Sequence, residues 1–300
     1  MSLRGPAARR LGRLRLALRF NGWALLVVPG LAFLSVFFLV PLAVIGLRSV
    51  TDVEGPSSGW LANYADFFGT DVYLRVLGNT FWIAALCTVI CAGLGYPYAY
   101  LMTIVPQRFA GLLLIVVLVP FWSSPLVRTY AWQVLLRDTG VINGFLLKSG
   151  LISEPFPLIR TTFGVLLGMC QILLPLMVLP VYAVMRQVDP EYTKAAANLG
   201  AGPFTAFRRV FLPLSIPGLL AGSLLVFVVA LGFYITPALL GSPQNTMISS
   251  LIANAIQQRA DFGAGSALGV ILLVVTLVVL IVASRLIRFR DVFGSLESEL

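Results

Sequence analysis

Residues 189–213 read DPEYTKAAANLGAGPFTAFRRVFLP and interrupt a chain that is otherwise mostly apolar. Asp189 suits a helix N-cap, because a short side-chain oxygen there accepts a hydrogen bond from the first turn. Pro190 follows at the position where a missing N–H costs nothing. Glu191 then sits at the positive end of the helix dipole. Tyr192, Ala195, Ala196 and Leu199 fall on one face at helical spacing. Gly200 stands where a left-handed C-terminal cap belongs. The spacing predicts a short helix over 190–199. Gly202-Pro203 breaks it, and a second amphipathic stretch over 204–211 leads to Leu212-Pro213. The apolar run resumes after Pro217.

What surrounds this stretch is built for a bilayer. The chain has 300 residues, 59% hydrophobic and only 11% charged. Soluble domains carry about 45–50% apolar and about 25% charged residues. Long apolar runs satisfy their backbone polar groups internally as helices. A membrane barrel would alternate over segments of about ten residues, and no such alternation is present. The sequence therefore predicts an all-α integral membrane protein with six transmembrane helices, over 24–47, 80–105, 112–135, 163–185, 218–240 and 267–287. Each is long enough to cross about 30 Å of hydrocarbon. Pro29, Pro41, Pro97, Pro120, Pro125, Pro175, Pro180 and Pro237 lie inside them. Prolines in such number point to kinked helices around a cavity or to purely structural kinks.

Charge sets the orientation. With both termini cytoplasmic, fourteen basic and five acidic residues fall inside, and seven of each fall outside. The whole net charge of +9 then lies on the cytoplasmic side, as the positive-inside rule requires. The excess follows the spans and forms no soluble basic domain, which argues against nucleic acid as a partner. Arg4 to Arg19 precede an apolar run too long for a signal peptide, so we read a basic interfacial segment at the lipid surface before an uncleaved first span.

The residues that usually carry chemistry are scarce. There is no histidine, which removes the commonest general base. Cys87 and Cys91 share a helical face, and Cys170 lies in another apolar run. Without further ligands they read as small packing residues, so no metal site and no catalytic residues are expected. No GxxxxGK[ST] phosphate loop occurs, so this chain should bind no ATP itself.

The polar interruption resembles the coupling loop of the membrane subunits of ATP-binding-cassette importers. That pattern is Glu-Ala-Ala, three residues, Gly, nine residues, Ile or Val, one residue, Leu-Pro. Ala195 and Ala196 match the alanines, Gly200 the glycine, and Val210, Leu212 and Pro213 the closing residues. Lys194 takes the place of the usual Glu, and Glu191 lies one turn earlier on the same face. The resemblance covers about residues 76–286. Residues 1–75 then hold the basic segment, first span and an outer loop, and 287–300 a cytoplasmic tail. Within the family, Pro120 to Trp132 (PFWSSPLVRTYAW), Gly140-Val-Ile-Asn143 and Gly232 to Gly241 (GFYITPALLG) are most similar to spermidine and putrescine permeases.

The resemblance implies a type I importer transmembrane domain in a bacterial inner membrane. It implies as partners two copies of a cytoplasmic ATPase, which bind ATP and magnesium, a second homologous permease and a periplasmic solute-binding protein. It implies Asp189, Glu191 and Lys194 beside the motif residues as the ATPase-coupling loop. The solute would be a polyamine, or another small solute of the amino acid, opine, phosphonate or iron type. An ATP-independent secondary carrier is the rival class, but neither inverted repeats nor midplane acids are evident. Candidate pathway residues are Trp122, Arg128, Tyr130, Trp132, Gln133, Gln171, Tyr234 and Thr236. Two readings of Arg128 stand, a pathway charge or an interfacial arginine reaching outward.

Overall fold

The structure, a computed structural model, describes residues 22–52 and 59–296, with side chains placed over 27–52 and 59–285. The basic segment from Arg4 to Arg19, and Glu54, Glu297 and Glu299, lie outside the described residues. In chain order the helices are α1 (Gly22–Thr51), α2 (Ala62–Gly69), α3 (Asp71–Ile104), α4 (Gln107–Phe121), α5 (Pro125–Leu135) and α6 (Val141–Lys148). There follow α7 (Thr162–Met185), α8 (Pro190–Asn198), α9 (Pro203–Ala206), a π-helical turn (Phe207–Phe211) and α10 (Leu212–Leu231). The chain closes with α11 (Ile235–Leu240), a 3-10 turn (Pro243–Asn245), α12 (Ile248–Gln257) and α13 (Phe262–Leu296).

Five helical stretches are long and apolar enough to cross a membrane, and α4 with α5 makes a sixth crossing only as a bent pair. The expected third span over 112–135 is therefore not one rod: α4 and α5 meet at 91°. Proline explains the bend. Ser124 precedes Pro125 and takes an extended conformation, φ −56° and ψ 133°, because the proline ring disfavours helix in the residue before it. The expected fifth span over 218–240 is also interrupted, since α10 stops at Leu231 and α11 begins at Ile235. Pro237 has no N–H for the carbonyl of Phe233, four residues back. Ser249 Oγ donates to that carbonyl instead, at 2.6 Å. The same span starts earlier than expected. No break occurs at Leu212-Pro213, and the helix runs from Pro203 to Leu231. The π turn accommodates Pro213: Leu212 N–H reaches back five residues to Phe207 O, so the ladder widens where the proline offers no donor.

The core is the three-helix contact of α3, α7 and α10. Its side chains include Ile83, Met169, Leu173, Met177 and Val226, all buried. Lipid gives no hydrophobic reward for bringing apolar helices together, so small residues and close van der Waals contact carry the association. A Cβ on Gly95 of α3 would lie 2.7 Å from Met177 Cγ. One on Gly222 of α10 would lie 3.0 Å from Met177 O, and one on Gly218 would lie 3.0 Å from Pro180 O. Tyr96 hydroxyl and Ser215 Oγ add a 2.7 Å hydrogen bond between α3 and α10. Helix α1 stands apart from this core and packs on α13, joining first span to last. A smaller cluster of Phe67, Ile248, Leu268 and Ile271 ties α2, α12 and α13 together.

This packing separates two glycines of one helix. A Cβ on Gly93 meets nothing within 4 Å, unlike one on Gly95. Gly95→Leu should lower the thermal stability of the detergent-purified chain, by the roughly 1–3 kcal/mol typical of overpacking. Gly93→Leu should leave it unchanged. Equal behaviour of the two variants would contradict the proposed core.

Candidate functional site

Helix α8 is fixed at both ends by its own sequence. Asp189 Oδ1 accepts the N–H of Glu191 at 2.9 Å, and Pro190 opens the first turn. At the other end Gly200 adopts φ +87°, a left-handed conformation that glycine alone enters freely. Ala201 N–H then bonds to Ala196 O at 3.0 Å and Gly200 N–H to Ala197 O at 2.9 Å. These are the paired bonds of a Schellman cap. The helix ends at Asn198, with Leu199 as its cap residue.

No residue of α8 is buried. Leu199 is 89% and Phe204 74% exposed, large apolar side chains on an otherwise polar segment. Ala195 is exposed beside them. Lys194 Nζ donates to Glu191 Oε1 at 2.8 Å on the open face. An ion pair so exposed adds little stability, but it sets the charge pattern the helix presents. Lys194 and Glu191 thus act as one dipolar unit, which the sequence offered only as two separate charges.

The segment reaches the bundle through aromatic rings. Phe207 and Phe211 of the π turn stack on each other with centroids 5.9 Å apart. Both meet Tyr100 of α3 edge-on, at 5.0 and 5.2 Å. Phe207 also meets Tyr96 at 6.4 Å. Val210 and Leu212 are partly buried on this stretch, whereas Pro213 is exposed. Behind α8 lies a cavity of 630 Å³, walled by Thr193 and Ala197, the rings of Tyr100, Tyr182, Phe207 and Phe211, and the ends of α3 and α7. The surface helix therefore stands off the spans and bears on them at the π turn.

A second constellation surrounds the interrupted spans. Helix α5 packs on α11, so the C-terminal parts of both broken spans meet. Thr129 and Thr236 share a 3.0 Å hydrogen bond in that contact, both fully buried. Trp132 Nε1 donates to Gln171 Oε1 at 3.4 Å. Gln133 lines a cleft of 590 Å³ with Arg137, Asp138 and Arg160. Tyr234 lines a separate cleft of 540 Å³ with Asn254, Gln257 and Gln258. Trp122, at the bend, is 85% exposed, and Tyr130 is exposed on α5. The eight candidate residues thus surround the α5–α11 contact but do not converge on one cavity. Arg128 is buried, so it does not reach outward as an interfacial arginine would.

Three features lay beyond sequence reasoning. Thr129 and Ser249 are the buried partners of Thr236 and of the Phe233 carbonyl, and nothing in their local sequence marks them. Cys170 joins Cys87 and Cys91, with the three sulfurs within 4.8 Å of one another in the α3–α7 contact. Cys87 and Cys170 sulfurs are 3.5 Å apart and buried among apolar side chains.

A sequence profile described as "Binding-protein-dependent transport system inner membrane component" matches residues 5–291. The chain is 34% identical over 220 residues to the spermidine/putrescine transport system permease protein PotB of Haemophilus influenzae, covering 73% of this chain and 77% of that one. It is 33% identical over 276 residues to PotB of Salmonella typhimurium, covering 90% and 96%. Its fold is similar to the crystal structure of a bacterial ABC transporter involved in the import of the acidic polysaccharide alginate, with a TM-score of 0.73 and 20% identity over 92% of this chain and 98% of that one.

The C-cap geometry yields a direct check. A Cβ on Gly200 meets no neighbour, so a substitution there acts only through backbone strain. Gly200→Val should increase protease cleavage within 190–201 of the membrane-embedded chain, while Gly200→Asn, which tolerates the left-handed region, should cleave much as the parent does. Equal resistance of the valine variant would contradict the capped helix.

Proposed function

This chain belongs to the family of binding-protein-dependent transport system inner membrane components, and from that membership we propose that segment 189–213 is where a cytoplasmic ATPase drives it. The protein is the permease subunit of an ATP-binding-cassette importer of the inner membrane. It is a transport component and not an enzyme. The observation that carries the coupling reading is the doubly capped, wholly unburied helix α8, with Leu199 and Phe204 exposed and the adjoining π turn stacked on Tyr100.

The mechanism follows from rigidity. A helix of nine residues, locked by Asp189 and Gly200, moves as one body when a partner pushes it. Its displacement passes to the π turn, and from there along α10 and through the aromatic stack to α3. The partner is an ATPase, present in two copies, which holds ATP and magnesium while this chain holds neither. Leu199 and Phe204 fill apolar recesses in it. The Glu191–Lys194 pair presents a local dipole where relatives with the common motif would present an acid. A second homologous permease completes the pathway, and a periplasmic binding protein delivers the solute.

In this reading both termini are cytoplasmic and α8 faces the cytoplasm, since the basic excess lies on that side. The moving unit is the region 76–286, which contains every buried residue of the core. The solute is a polyamine, which the likeness to PotB supports. The spans near the α5–α11 contact offer it no carboxylate, so aromatic faces receive the cation, each contact worth roughly 0.5–2 kcal/mol. Trp122, Tyr130 and Tyr234 are exposed and available for this.

The test replaces the exposed apolar contact. Leu199→Asp with Phe204→Ser should leave the chain at its normal level in the membrane, yet abolish recovery of the ATPase with it and ATP-driven uptake of labelled spermidine. Full ATPase recovery and uptake would refute the docking role of α8.

A further inference from the structure

Cys87 and Cys91 stand on one face of α3, and Cys170 of α7 meets them. All three sulfurs lie within 4.8 Å of one another, and those of Cys87 and Cys170 are 3.5 Å apart. None is in a disulfide. The expectation of plain packing residues rested on the lack of a further ligand beside Cys87 and Cys91. The α3–α7 contact supplies that ligand.

The spacing suits a metal ion. Three sulfurs around one ion, each at a metal–sulfur distance of about 2.3 Å, lie about 4 Å from one another. Opening the Cys87–Cys170 pair from 3.5 Å to that separation is within reach of a small side-chain rotation. The backbones that carry the thiols are already in place, because both helices belong to the packed core. Cys170 is 7% exposed, against 0% for Cys87 and Cys91, so the group meets the surface of the bundle on its α7 side.

Chemistry narrows the ion. Thiol sulfur is a soft ligand that selects copper(I), zinc or an iron–sulfur cluster. Structural zinc takes four ligands, and an iron–sulfur cluster takes four cysteines. Here there are three: the chain has no histidine, and no Asp or Glu of the described residues joins the group. Copper(I) remains. Charge agrees with this choice. The sulfurs are enclosed by apolar side chains, where net charge is costly. One copper(I) ion that displaces one proton gives a neutral unit. Its positive charge is balanced by a single thiolate, the other two thiols donate sulfur lone pairs, and the proton leaves to solvent. No electron is transferred.

We propose that Cys87, Cys91 and Cys170 form a three-sulfur site for one copper(I) ion that ties α3 to α7. The site rests on this geometry alone. Its effect on transport rests also on the proposed function. Helix α3 carries Tyr100, which receives the π turn, and α7 ends at Met185, just before the Asp189 cap of α8. An ion bridging the two helices restrains both connections of α8 to the core and so slows uptake.

The test begins with the full chain, purified in detergent through a tag free of histidine, under reducing and oxygen-free conditions. It is titrated with copper(I) held by a coloured chelator. The parent should withdraw one ion per chain. Cys87→Ala, Cys91→Ala and Cys170→Ala should each hold copper about tenfold or more weakly. These changes are small, and melting temperatures without metal check that each variant is folded. Copper should raise the melting temperature of the parent alone, since an ion bound only to the folded state stabilises it. Zinc(II) should not be retained. The proposal is overturned if the parent withdraws no copper, if all folded alanine variants match it, or if zinc binds as tightly. In vesicles holding the complete importer, copper(I) should slow spermidine uptake by the parent but not by Cys170→Ala. Copper bound with uptake unchanged would overturn the restraint on α3 and α7. The binding result stands whatever the solute is.

Discussion

The contact of Phe207 and Phe211 with Tyr100 joins two parts of the molecule that obey different physics. On one side is α8, a polar helix that buries nothing and owes its shape to its caps. On the other is the α3–α7–α10 bundle, which owes its shape to close packing in an apolar medium. A helix of nine residues has little intrinsic stability in water. Asp189 at one end and Gly200 at the other supply what tertiary burial does not. The cavity behind α8 leaves that helix free of the spans along most of its length. Force applied to it can enter the bundle at the π turn, beside the short covalent link through residues 186–189 to α7. Aromatic edge-to-face contacts add preferred geometry, and about 0.5–1.5 kcal/mol each, to the area they bury.

The bilayer imposes the second constraint. Each span that bends must satisfy the carbonyls its prolines release. At Pro237 the answer is visible, as Ser249 takes over the carbonyl of Phe233. At Pro213 the ladder itself changes to a π turn, which is why the surface segment and α10 form one continuous helix. At Pro125 the chain turns through a right angle and leaves donors unpaired. Two of these three sites are resolved within the chain. The third is open, and it is the one beside the unpartnered Arg128.

Much of this was legible in the sequence, and what was not has physical causes. The capped helix was readable because caps are local, and Asp189, Pro190 and Gly200 each act within one turn. The crossings were readable because hydropathy averages over some twenty residues. The same averaging concealed the bend at Trp122–Ser124, since α4 and α5 are apolar on both sides of it. Pro125 marked a kink but not its angle, which depends on how α5 packs against α11. The π turn was hidden because Leu212-Pro213 looks like a break, when the donor lost at Pro213 is absorbed by a wider turn instead. The meeting of Cys170 with Cys87, and of Thr129 with Thr236, joins positions about a hundred residues apart, which local pattern cannot reveal.

The claim on which the rest depends is that motion of α8 reaches the spans through the aromatic contact at the π turn. The most direct measurement is the number of solute molecules imported per ATP hydrolysed by the complete importer carrying Phe207→Ala and Phe211→Ala. The account predicts that the ATPase still docks on the unaltered α8 and still hydrolyses ATP, while import per ATP falls steeply. An unchanged ratio would show that the force travels by another route.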